Sequence, residues 1–167
     1  PKNTSPMEYR VLTKKMDLFP YQQLFFTSFQ YAKLHPLFNG GQDYPLQKIK
    51  AGIHILLVTG IASPTSMIEE LSTVSSHIHP LTFSDHHDFS AKDMEKVKEE
   101  FEKLPEGRRM IITTEKDSTR MATHPDLAES VKPYIYVLPI EVIFLQDQEK
   151  SFNSKIMDYV RKDSRNS

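Results

Sequence analysis

Residues 53 to 60 read IHILLVTG, an apolar run broken only by His54 and closed by Thr59 and Gly60. A strand with one wet face alternates apolar and polar residues. A run this continuous belongs to a strand covered on both faces, as in a parallel sheet between helix layers. The surrounding chain agrees. Pro64 precedes TSMIEELSTV, where Met67, Ile68 and Leu71 recur at helical spacing, and HIHPLTFS (77 to 84) reads as the next strand. Ser90 is a good N-cap, with Asp93 placed for a capping-box pair, and Met94, Val97, Phe101 and Leu104 form one apolar stripe. Pro105-Glu106-Gly107 stops that helix, RMIITT (109 to 114) is a strand, and EKDSTRMA a short helix after it. YIYVLPIEVIFL (134 to 145) is strand-like with Pro139 interrupting it, and Phe152, Ile156 and Tyr159 mark a closing helix. Before the apolar run, Ser5 caps a helix with Pro6 at its first position. QQLFFTSF (22 to 29) is β-prone, and 31 to 45, with two prolines and a Gly-Gly pair, is a loop with room for a short strand. Strands alternate with helices at least three times. The expected fold is a single α/β domain over residues 1–167, a mostly parallel sheet flanked by helices in the Rossmann-like manner.

Composition excludes several function classes. The chain has 38% hydrophobic and 26% charged residues, enough for a core and too apolar for disorder. A formal net charge of -1 proposes neither nucleic acid nor an anionic membrane as a partner by bulk electrostatics. With no cysteine there are no disulfides, zinc ribbons or thiol chemistry, which fits a reducing compartment. No apolar run approaches the ~18 residues of a membrane span, and no stretch reads as a signal peptide.

Ligands of open parallel sheets bind beyond the carboxyl ends of the strands. Three turns there lead from strand to helix: Thr59 to Pro64, Ser84 to Asp88, and Thr113 to Asp117. In a doubly wound sheet they fall on one rim. The middle turn, FSDHHDFS, carries Asp85-His86-His87-Asp88. A carboxylate beside an imidazole suits proton transfer, with Asp85 and His86 the candidates. Equally, the aspartates of such a turn can satisfy loop and cap amides while the histidines are solvated. His87 and Asp88 read as loop and helix-entry residues. In the third turn the hydroxyls and Lys116 could meet phosphate at a helix N-terminus, or the segment could be only a capped helix with charge pairing among Lys116, Asp117 and Arg120. Gly60 reads as a permissive turn residue. No G-x-x-x-x-G-K-S/T occurs among the five glycines. His54 reads as a core residue, His77 and His79 as alternating along a strand, and His35 and His124 as loop residues beside prolines.

Together, VTGIASPTSMIEEL, FSDHHDFSAKDM and IITTEKDSTRM resemble the C-terminal half of the tetraacyldisaccharide 4'-kinases, lipid A kinases of Gram-negative bacteria. The matching features are the Gly60-Ile61-Ala62-Ser63-Pro64 turn, the Asp85-His86 turn, and Thr114-Glu115-Lys116-Asp117 with Arg120. The resemblance covers roughly residues 6 to 160. It implies an ATP- and Mg²⁺-dependent phosphorylation of the 4'-hydroxyl of a lipid A disaccharide precursor by a two-domain P-loop enzyme. It places that reaction at the cytoplasmic face of the inner membrane, with no nucleic acid involved. It gives His86, beside Asp85, the role of tuning an aspartate from the N-terminal half that accepts the sugar proton. It makes Gly60, Thr114, Glu115, Lys116, Asp117 and Arg120 candidates for nucleotide or substrate contact. No metal ligand is expected within the chain.

The abrupt start at Pro1, without an initiator Met, is compatible with a C-terminal piece of a longer kinase or with a trimmed N-terminus. On the first reading the P-loop, the Mg²⁺ carboxylates and the partner aspartate lie upstream of Pro1. Two other classes compete. A DHH-type phosphoesterase shares the Asp-His-His triplet but needs further Asp-rich motifs for two metals, and none is found. A non-catalytic α/β binding module would bind neither nucleotide nor lipid.

Overall fold

The computed structural model describes residues 4–38, 40–85 and 87–163. In chain order the elements are α1 (Pro6–Lys15), β1 (Thr27–Tyr31), β2 (His35–Pro36), β3 (His54–Thr59), α2 (Thr65–Ser72), β4 (His77–Thr82), α3 (Ala91–Glu102), β5 (Arg109–Thr113), α4 (Glu115–Ala122), β6 (Ile135–Val137), β7 (Ile140–Phe144) and α5 (Glu149–Asp163). They fall into two compact units, one of residues 31–139 and one built from the two ends of the chain, 1–30 with 140–167.

The larger unit is a five-stranded sheet in the order β2-β6-β5-β3-β4. Strands β3 to β6 run parallel, and β2 closes the β6 edge antiparallel. The apolar run is the centre of this sheet and is covered on both faces. Ile55 and Leu57 pack with Met67 and Leu71 of α2. Leu56 and Val58 pack with Met94, Val97 and Phe101 of α3 and Met121 of α4. At about 1.5–3 kcal/mol for each buried large aliphatic side chain, each of these four strand residues contributes to holding the unit together. The capping of α3 is as expected, with Ser90 and Asp93 each bonded to the other's backbone amide. Its far end is held by Arg109, whose Nη1 donates to the carbonyls of Phe101, Glu102 and Leu104 at 3.1–3.2 Å, where a cation favours the helix dipole.

The topology places the site. From β3 the chain passes through α2 to β4 on one flank, then returns through α3 to β5 on the other flank. Because α2 and α3 cover opposite faces, the winding direction reverses beside β3. The carboxyl end of β3 is therefore the switch point, where such sheets open a crevice.

Three expectations shift. The strand read at 22 to 29 forms at Thr27–Tyr31. The stretch read as one strand over 134 to 145 is two, because Pro139 cannot donate to a ladder. β6 joins the large sheet, β7 pairs with β1, and the Pro139 carbonyl accepts from the Ala32 amide at 3.0 Å. His54 is half-buried rather than core, since it starts β3 where the apolar layers end. Its Nδ1 lies 3.1 Å from Nε2 of His79, and its ring stacks on His77 with centroids 4.4 Å apart.

Desolvation, and then the nearby His77 and His79, hold the His54 imidazole below its ordinary value of 6.5. The unfolded chain therefore binds this proton more readily than the folded one. The contribution to stability is complete above about pH 6.5 and is lost as pH falls below it. We expect the urea midpoint to drop between pH 7.5 and 5.5, and His54→Gln to flatten that slope. An unchanged slope in the variant would remove His54 from the account.

In the smaller unit, β1 and β7 form a two-stranded sheet. Its interior is aromatic: Phe25 meets Phe152 edge-on at 5.2 Å, Phe144 meets Phe152 at 4.8 Å, and Tyr9 meets Phe26 at 4.6 Å. Helix α1 starts with the expected Ser5 cap, completed by Glu8. The fully buried hydrophobic side chains among the described residues all lie between Leu34 and Leu138, in the larger unit. Among the described residues, no helix is long and apolar enough to cross a membrane.

Candidate active site at the carboxyl rim

The three turns singled out in the sequence leave neighbouring strands at the same end of the sheet. Val58 is in register with Thr113, and Thr59 with Thr82, so the turns begin side by side. Helix α4 draws them together. Thr114 caps it, its hydroxyl accepting from the Asp117 amide at 3.1 Å and donating to Asp117 Oδ2 at 2.8 Å. The same Oδ2 accepts from the Gly60 amide at 2.8 Å. Asp117 is thus fully buried and ties the end of β3 to the start of α4. Its other oxygen, Oδ1, has no hydrogen-bond partner among the described residues, nor do the buried hydroxyls of Thr59 and Thr113. A Cβ on Gly60 would stand 3.1 Å from Asp117 Oδ1 and 3.5 Å from the Ser84 carbonyl, so a side chain there would press on the Asp117 carboxylate.

The middle turn is fastened to the same helix. Lys116 Nζ donates to Asp85 Oδ1 at 2.6 Å, and Arg120 Nη1 donates to the His87 carbonyl at 2.6 Å. His124 Nε2 lies 3.0 Å from the Phe89 carbonyl. His87 is a framework residue. Its ring stacks on Phe83 with centroids 5.1 Å apart, and its Nε2 meets Asp93 Oδ2 at 2.9 Å. Burial pushes the Asp93 carboxyl up, but the Ser90 hydroxyl and amide and then His87 outweigh it and hold it at about 2. Asp93 is therefore ionised at neutral pH and keeps both the cap and His87.

Of the residues expected at the site, Gly60, Asp85, Thr114, Lys116, Asp117 and Arg120 converge on this rim through the bonds above. Lys116 and Arg120 reach the middle turn, so the alternative of charge pairing along α4 is replaced by pairing across to the loop. Glu115 is exposed on the first turn of α4. His86 lies outside the described residues. His124, read from sequence as a loop residue, also reaches the turn; its spacing of four from Arg120 and of eight from Lys116 was the available signal.

The family model for Tetraacyldisaccharide-1-P 4'-kinase (LpxK) matches residues 10–161. Among curated proteins, the tetraacyldisaccharide 4'-kinase of Phocaeicola vulgatus is 63% identical over 167 residues, covering 100% of this chain and 46% of that protein. The tetraacyldisaccharide 4'-kinase of Bacteroides fragilis is 47% identical over 169 residues, covering 99% of this chain and 45% of that protein. The chain thus spans about half the length of the curated relatives it matches. Among solved structures, LpxK from Aquifex aeolicus in complex with ATP aligns with a TM-score of 0.49 at 15% identity, over 89% of this chain and 43% of that one, a likeness too distant to bear on the site.

Proposed function

The chain belongs to the tetraacyldisaccharide 4'-kinase family, and on that premise we propose that it is the C-terminal part of an enzyme that phosphorylates the 4'-hydroxyl of a tetraacyldisaccharide 1-phosphate with ATP. The observation that carries this reading is the family match over residues 10–161, which includes all three rim turns. It displaces the phosphoesterase and binding-module alternatives.

In the proposed reaction the 4'-oxygen attacks the γ-phosphorus, the bond to the β-phosphate oxygen breaks, ADP leaves, and the hydroxyl proton goes to a carboxylate. Such transfers depend on alignment and charge stabilisation more than on covalent chemistry. His86 is assigned the role of orienting and tuning that carboxylate, which comes from outside these residues. Asp85, the preceding residue in the sequence, is held by Lys116.

The described residues do not fit a triphosphate or Mg²⁺ site of their own. Asp117 is fully buried and committed to Gly60 and Thr114, Asp85 is paired with Lys116, and the chain contains no G-x-x-x-x-G-K-S/T loop. We assign Mg²⁺ and ATP to other parts of the enzyme. The lipid precursor as partner, and a peripheral position at the cytoplasmic face of the inner membrane, belong to the same proposal.

The test is transfer of labelled γ-phosphate from ATP to the disaccharide 1-phosphate by the full-length gene product that carries this chain. Transfer is expected from that protein and none from residues 1–167 alone. Absence of transfer by the full-length protein overturns the function. Transfer by residues 1–167 alone overturns the assignment of ATP to other parts of the enzyme.

A further inference from the structure

Helix α4 grips the middle turn at regular intervals. Lys116, Arg120 and His124 are spaced by four, so they share one face of the helix and its continuation. Their partners are spaced by two: Asp85 at 2.6 Å, the His87 carbonyl at 2.6 Å and the Phe89 carbonyl at 3.0 Å. The turn is therefore a strap fastened to the helix face at residues 85, 87 and 89. The next side chain on α4, Asp117, fastens the Gly60 turn at the same time. Within the strap, the His87 amide donates to the Ser84 carbonyl at 3.1 Å.

These fastenings are poor sources of stability. The Lys116 and Asp85 side chains are 37% and 43% exposed, and an ion pair that wet contributes little to folding. What they do supply is geometry. Charge-assisted bonds from Lys116 and Arg120 fix the position and direction of Asp85 and His87 against the helix. We propose that Lys116, Arg120 and His124 are positioning residues for the phosphoryl-transfer site, holding Asp85, His87 and Phe89 of the turn whose sequence carries His86. The proposal rests on the kinase reading above. It differs from the expectation of nucleotide or substrate contact for Lys116 and Arg120, because it makes them act through the turn.

The experiment uses the full-length enzyme with Lys116→Met and Arg120→Met, singly and together, and with Lys116→Arg as the conservative control. The double variant is expected to lose about 10- to 100-fold in kcat, the scale of a misplaced catalytic group, with KM for ATP unchanged. Its unfolding midpoint should stay within about 2 °C of the parent. Amide exchange at residues 84–89 should quicken, and Lys116→Arg should recover most of the rate. In a His86→Ala background the same substitutions should add no further loss, since groups that act through one residue are not additive. Unchanged kcat overturns the proposal, as does a loss that adds fully to that of His86→Ala. A raised KM for ATP restores direct nucleotide contact and also overturns it. If the parent enzyme does not phosphorylate the disaccharide, the kinase reading fails instead; amide exchange unchanged from the parent would then overturn the strap itself.

Discussion

Replacing Asp117 with alanine is expected to destabilise the larger unit by about 2–4 kcal/mol, since it strands two donors at about 1–3 kcal/mol each when buried without a partner. Those donors are the Gly60 amide and the Thr114 hydroxyl, which meet at one carboxylate oxygen. Asparagine separates shape from charge. Its amide oxygen can take the place of Oδ2 and keep both bonds. Its nitrogen then occupies the place of Oδ1, which has no partner among the described residues in any case. Removing a fully buried charge also lowers the desolvation cost. The Asp117→Asn protein keeps the bonds to Gly60 and Thr114 but sets its own N–H donors where Oδ1 stood, so it should be less destabilised than the Asp117→Ala protein without matching the parent. Urea unfolding of residues 1–167 measures both. An alanine variant as stable as the parent would mean that the rim is held by something other than this carboxylate.

The same oxygens explain which parts of this protein can be read from its sequence. The apolar run needed two covering layers, and it has them. Ser5 and Ser90 were legible as caps because capping is a local event within four residues. The meeting of three turns at one rim was legible too, because strand order and parallel direction dictate it. The pairing of β1 with β7 was not. Gln30 and Glu141 touch at 3.2 Å although 111 positions separate them, and no local pattern announces such a partner. Pro139 was recognised as an interruption, but only the two sheets show that it marks a change of partner. At the site, residue types were readable and their bonds were not. Lys116 looked equally fit for phosphate or for Asp117. Its choice of Asp85 depends on how the loop after β4 lies against α4, and that is settled by the contacts themselves.

The imidazoles of FSDHHDFS can be told apart by substitution. His87 is committed to Asp93 and to the Phe83 ring. Because Asp93 is held at about 2, below its ordinary 3.8, it contributes to stability at all pH above 3.8 and loses that contribution only as pH falls toward 2. At neutral pH, His87→Ala should therefore lower stability, and through the loosened turn it should cost the chemical step less than His86→Ala does. His86→Ala should do the reverse. In the full-length enzyme it is expected to lower kcat by about 10²- to 10⁴-fold, the usual worth of a group that manages a transferred proton, with the unfolding midpoint little changed. A His86→Ala enzyme with parental kcat would remove His86 from the chemistry. A His87→Ala enzyme with the larger loss in kcat and unaltered stability would move the proton-handling role one residue along. The two variants assayed side by side, for rate and for unfolding, separate the histidine assigned to the proton from the one that holds the turn.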